Sequence, residues 1–257
     1  MEIFEDMQVD FSLSEVRKKI RFEDPDRLQE IIGNRMQDLI DTVLPGIVPR
    51  AVYRAGFLDS KEDAGVVVEG IGFQSTFLRK TLEDVGRVFP FVITIGKQLE
   101  EEIAQADDLI DRFLLEKIGD LALDQARLQL QDYLKKRYGF HRLSSMCPGG
   151  YGDWPIQERI KIFSVIGDVQ ENLGVRLHEN FRLDPQKSIS GLYFPTEVSI
   201  LSCQLCPRQA CLYRKAAYNG KKTREHQDLV RNPTRNRIKE TKQNKKFREV
   251  ELLLLWA

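Results

Sequence analysis

The chain has 257 residues, enough to bury a full core in one large domain, and its 42% apolar and 30% charged residues are those of an ordinary folded protein. No apolar run approaches the roughly 20 residues that cross a bilayer, and Met1 to Asp6 is acidic where a secretory leader is basic, so a cytoplasmic location without membrane contact is expected. The zero net charge conceals an imbalance: residues 207–248 hold 14 Lys and Arg against 3 Asp and Glu, which leaves the remainder at −11. Without interleaved aromatics or a recognisable nucleic-acid module, this stretch reads as a solvated tail and not as a nucleic-acid contact. The expected organisation is one domain over 1–219 and a basic, disordered tail over 220–257.

Ser12 or Ser14 can cap a short helix ending near Arg21. Pro25 opens a second, whose Leu28, Ile31, Ile32, Met36, Leu39, Ile40 and Val43 follow the three-to-four spacing until Pro45-Gly46 stops it. Val48 to Leu58 and Val66 to Phe73 read as an antiparallel pair joined by a polar loop at Asp59 to Gly65. A short helix capped by Ser75 follows. Val88 to Ile95 is a further strand, and Pro90 within it predicts a sheet edge or a bulge.

Helical spacing resumes after Gly96, and a long helix is predicted from about Asp108 to Tyr138, with Gly119-Asp120 marking close packing or a break. Another helix follows Pro155 through Ile160, Phe163 and Ile166, and Gly191 to Cys203 alternates like a strand. Helices and strands without regular βαβ alternation predict an α+β fold: a mainly antiparallel, twisted sheet with packed helices.

Two blocks carry the chemistry. Cys147-Pro148-Gly149-Gly150-Tyr151-Gly152-Asp153-Trp154-Pro155 places three glycines and two prolines around a tyrosine, which fixes a tight backbone path able to approach something flat or charged. Lys187-Ser188-Ile189-Ser190-Gly191-Leu192-Tyr193-Phe194 adds a second tyrosine after a small-residue run. On spacing alone the first block also fits a plain helix-entry turn with Tyr151 in the core.

Cys203, Cys206 and Cys211 fall within nine residues, which under reducing conditions points to thiolate ligands for zinc or an iron–sulfur cluster. Cys147, His178 or His226 could complete a zinc set, and Cys147 could be the fourth ligand of a cluster. Three unligated thiols are the alternative. His141, His178 and His226 lie far apart outside any nucleophile or metalloprotease motif, so no catalytic residue is assigned. Gly70-Ile71-Gly72 lacks the third glycine of a dinucleotide fingerprint and reads as a strand end.

Together the two blocks resemble the AdoMet-binding activation domain of cobalamin-dependent methionine synthase, whose signature is a Pro-Gly-Tyr turn, a helix and a Ser-x-Ser-Gly-x-Tyr-Phe strand. The similarity spans roughly residues 85–200, since Val88 to Gly96 with Gln98-Leu99-Glu100 also looks like the family's strand and helix start. The resemblance implies S-adenosylmethionine held by Pro148, Gly149, Gly150, Tyr151, Ser190 and Tyr193. It also implies an acidic contact from the long helix, for which Asp124 is the candidate.

The family's arginine before the turn falls on Met146 here, with Arg142 the nearest alternative. The implied role is a methyltransferase component for methionine biosynthesis: reductive methylation, or reactivation, of a vitamin B12 corrinoid carried by a partner. That partner would be a corrinoid-binding protein or the methionine synthase core, with a possible electron donor. A metal-binding interaction module that keeps the fold without AdoMet is the alternative.

Overall fold

The structure is a computed structural model that describes residues 1–20, 32, 35–150, 153–196 and 217–221. The predicted helix from Pro25 and the cysteine cluster lie largely or wholly outside them. The first helix, α1 (Leu13–Lys19), opens as predicted: the Glu15 carboxylate accepts the Ser12 amide at 2.8 Å. Only α2 (Arg35–Val43) of the second predicted helix is described, with Met36, Ile40 and Val43 buried.

An eight-stranded, wholly antiparallel sheet forms the centre of the fold. Its strands are β1 (Glu2–Phe4), β2 (Arg50–Tyr53), β3 (Gly56–Glu62), β4 (Gly65–Val68), β5 (Ile71–Gln74), β6 (Arg87–Thr94), β7 (Leu143–Met146) and β10 (Ser188–Pro195). A separate two-residue hairpin pairs β8 (Arg176–Leu177) with β9 (Leu183–Asp184). The predicted α+β class is the one observed.

Each predicted strand of the first pair is in fact two. The 48–58 segment breaks at Arg54-Ala55 into β2 and β3, and β3 runs on through what reads as a polar loop. The 66–73 segment folds back as β4 and β5 across Glu69 and Gly70, both at positive φ. Pro90 is a further correction. Its strand, β6, is neither an edge nor bulged but central, with β2 and β3 on one side and β10 on the other. Pro90 is tolerated because it faces the β2–β3 break, where its carbonyl accepts the Arg54 amide at 3.0 Å and no regular ladder needs the missing N–H.

Helices cover both faces. On one, α1, α2, α4 (Gln98–Gln105) and α5 (Leu109–Tyr138) enclose Tyr53, Phe89, Phe91, Ile93 and Tyr193. On the other, α3 (Thr76–Thr81), α6 (Arg159–Ile166) and α7 (Val169–Leu173) enclose Val52, Val92, Trp154, Leu192 and Phe194. The bounds of α5 match the sequence prediction: the Asp108 carboxylate accepts the Ile110 amide at 2.6 Å, a cap worth about 1 kcal/mol, and Gly139 closes the far end. At Gly119 the helix stays continuous; a Cβ there would sit 2.6 Å from Leu99 Cδ2, so the glycine serves close packing of α4 on α5.

Candidate functional site

Among the described residues β7 is an edge strand, pairing only with β10 in register Met146 to Leu192, and the chain leaves its end at Cys147. Pro148 and Gly149 form the corner. The Gly150 amide donates to the Cys147 carbonyl at 3.0 Å and Gly149 has φ +76°, the pattern of a type II β-turn with proline second and glycine third. The Gly149 amide donates to the Trp154 carbonyl at 2.8 Å. Both amides are therefore committed inside the loop, and what this exposed corner can still offer a ligand is carbonyl oxygen. Tyr151 lies outside the described residues.

The far arm of the loop is fastened elsewhere. Asp153 Oδ1 accepts from Ser75 Oγ at 2.6 Å and from the Phe77 amide at 3.1 Å, while Oδ2 accepts from Thr76 Oγ1 at 2.6 Å and its amide at 2.8 Å. Burial alone would raise the Asp153 carboxyl, but these bonds outweigh it and hold its pKa below the ordinary 3.8. Trp154 is buried edge-on to Phe73, with ring centroids 6.2 Å apart.

On the α5 face, one side chain, Arg127, reaches β7 near its end, with Asp124 beside it. The Asp124 carboxylate and the Arg127 Nε stand 4.0 Å apart, each partly exposed. Arg127 also donates to Ser145 Oγ at 3.3 Å, two residues before the turn. The local sequence around β7 gives no sign of this cation, because it comes across from the helix. Its i, i+3 spacing from Asp124 was the available signal. Arg142, the sequence alternative, is exposed at the opposite end of β7, roughly 15 Å of extended chain from Cys147.

β10 separates the residues that the second block appeared to unite. Ser190 and Tyr193 are three positions apart, so strand alternation puts their side chains on opposite faces of the sheet. Tyr193 belongs to the α5-side core: its ring stacks on Phe91 at 4.3 Å, its hydroxyl donates to the Arg127 carbonyl at 2.6 Å, and none of it reaches solvent. Burial pushes its phenol pKa well up. A ligand could touch this ring only by displacing a neighbour. Beside it, Gly191 lets β7 approach: an added Cβ would overlap the Met146 carbonyl oxygen and lie 3.0 Å from Cys147 Sγ.

The α6 face carries unspent polar groups. Ser190 Oγ, Trp154 Nε1 and Arg159 Nε are buried without a hydrogen-bond partner among the described residues. Arg159 donates from its other nitrogen to the Phe181 carbonyl at 2.7 Å. Burial lowers its pKa, against an opposing pull from Cys147. Among the described residues no group of three His, Cys, Asp or Glu could hold a metal ion; Cys147 is described, whereas Cys203, Cys206 and Cys211 are not. Nor is any helix among them long and apolar enough to cross a membrane.

An antiparallel sheet with helices on both faces is a fold shared with a solved structure. The chain is similar to the MetH reactivation domain, whose crystal structure was determined bound to AdoHcy: TM-score 0.51, 17% identity, covering 79% of this chain and 81% of that one. The likeness is one of fold. No protein-family model and no curated protein matches the chain.

Proposed function

We propose that the chain binds S-adenosylmethionine at the end of β7 and serves the methylation, or reactivation, of a corrinoid carried by a partner polypeptide. The observation that supports this reading is the Asp124–Arg127 pair, whose arginine reaches Ser145 two residues before the 147–150 turn, in a fold shared with a domain that was crystallised with AdoHcy. A carboxylate and a guanidinium 4.0 Å apart suit the ammonium and carboxylate of an amino-acid moiety. The turn's carbonyls suit a neighbouring cation.

Bound AdoMet would supply an electrophilic methyl group on a sulfonium. Displacement at that carbon asks the protein for alignment and exclusion of water more than for proton transfer. Asp124 and Arg127 would orient the ligand, and Gly149, Gly150 and Tyr151 would border it with Pro148 fixing the corner. The enclosed Tyr193 would act from behind by holding the Arg127 segment of α5. On the α6 face of the sheet, Ser190, Trp154 and Arg159 have buried polar atoms with no partner among the described residues, and a polar group arriving there would be stabilised. Cys203, Cys206 and Cys211, with or without Cys147, remain the proposed metal ligands; metal analysis and absorption spectra of anaerobically purified protein test that part.

One observation favours the second reading, an interaction module that keeps the fold without AdoMet: the Gly149 and Gly150 amides are already bonded within the loop. Calorimetric titration with AdoMet and AdoHcy separates the two. Heat of binding in the wild type, weakened at least about tenfold in Asp124→Asn and Arg127→Met, is expected for charge-assisted contacts of 1.4 kcal/mol or more. No heat at millimolar ligand would leave the module.

A further inference from the structure

We infer that Asp153 is a positioning residue for the glycine turn, fixing where the corner sits by fastening its far arm to the start of α3. The inference rests on the reading of that turn as the AdoMet-binding element. The near arm is held by the β7–β10 register at Met146 and Leu192. On the far arm, the described residues Asp153 to Pro155 lie in no strand.

Its attachments run to a single stretch of chain, residues 73–77. Trp154 packs on Phe73, Glu158 Oε2 accepts the Gln74 amide at 3.2 Å, and Asp153 takes donors from Ser75, Thr76 and Phe77. Ser75 caps α3 with its own hydroxyl, accepting the Leu78 amide at 2.9 Å, and Asp153, which takes the Thr76 and Phe77 amides of the same turn, adds to that cap and does not replace it. The aspartate also joins two parts of the chain 76 to 78 residues apart.

Every group facing the Asp153 carboxylate in these four bonds is a donor. An amide in its place would turn an NH2 toward at least one of them, so Asp153→Asn loses contacts and adds donor-to-donor repulsion at nearly unchanged volume. The corner then loses its fixed distance from β10. A ligand gripped by carbonyl oxygens and by Asp124 across the gap needs that distance set in advance, and freeing the arm weakens binding without removing a ligand contact.

Hydrogen exchange at the Gly149 amide, bonded to Trp154, reads the corner directly, and AdoHcy calorimetry reads its consequence. Asp153→Asn should speed Gly149 exchange about tenfold or more and weaken AdoHcy about tenfold, while β6 amides keep their wild-type rates. Arg79→Ala, which loosens α3 from its other end through Glu62 and Glu83, should move neither readout. If Asp153→Asn does not fold, Asp153→Glu, which keeps the acceptors but displaces them, should give the same change at smaller size.

Unchanged Gly149 exchange in the folded variant overturns the inference, and so does equal acceleration in Arg79→Ala. Faster exchange in a protein whose wild type gives no AdoHcy heat supports the anchor and overturns the AdoMet reading alone.

Discussion

The loop at 147–154 and the strand at 188–195 look alike in sequence, since each sets a glycine near a tyrosine among small residues, yet they solve opposite problems. In the strand, Gly191 is a packing device: its missing side chain admits the Met146 carbonyl, and Tyr193 is sealed against Phe91. In the loop, Gly149 is a conformational device, at φ +76° in an exposed corner held by two internal bonds and by Asp153. The strand supplies a rigid reference, and the loop supplies a surface whose place is set from a distance. Function in this molecule is therefore expected at the loop and on the α5 residues beside it, while the second tyrosine contributes support.

The largest effect that would break this contrast is Gly191→Ala. Overlap with main chain on β7 cannot be relieved by a rotamer, so about 3 kcal/mol of stability should be lost in denaturant unfolding. At Gly149→Ala the cost should be about 1–2 kcal/mol, from left-handed backbone strain and a Cβ 3.1 Å from Ile156 Cβ. Equal losses would mean that the two glycines do the same work.

Asp153 gives a pH-dependent test. Its folded-state pKa lies below the ordinary 3.8, so its contribution is complete above that value and disappears as pH falls through the folded pKa. Asp153→Asn should cost about 1 kcal/mol at pH 7, a cap-sized loss, and flatten the stability profile below pH 3.8. A variant with the wild-type acid profile would remove Asp153 from the account. The smallest effect is at Ser190→Ala: deleting a buried hydroxyl that has no partner among the described residues should be neutral or add about 0.5 kcal/mol. A loss above 1 kcal/mol would show that this hydroxyl is bonded in solution.

Much of the fold was legible because its signals are local. The α5 bounds followed from Asp108 and Gly139, and the corner from Pro148-Gly149. Features set by tertiary contact were not legible. Pro90 reads as an edge residue unless the break at Arg54-Ala55 is known to lie opposite it. The Glu69-Gly70 reversal, β7 and the β8–β9 hairpin have only two to four residues per strand to show a period.

At the site, the resemblance in sequence pointed to Asp124, which stands beside Arg127 on α5, and its role there is part of the proposal. The resemblance could not show that alternation divides Ser190 from Tyr193, or that Arg127 reaches Ser145 from the helix. Tyr151 and Cys203, Cys206 and Cys211 lie outside the described residues.

Amide chemical-shift mapping with AdoHcy tests the central claim most directly. The account predicts the largest changes at Asp124, Arg127 and residues 147–154, with the hollow of about 230 Å³ lined by Glu100, His178, Asn180 and Asp184 left unaffected. Shifts concentrated at that hollow, or none at saturating ligand, would contradict it.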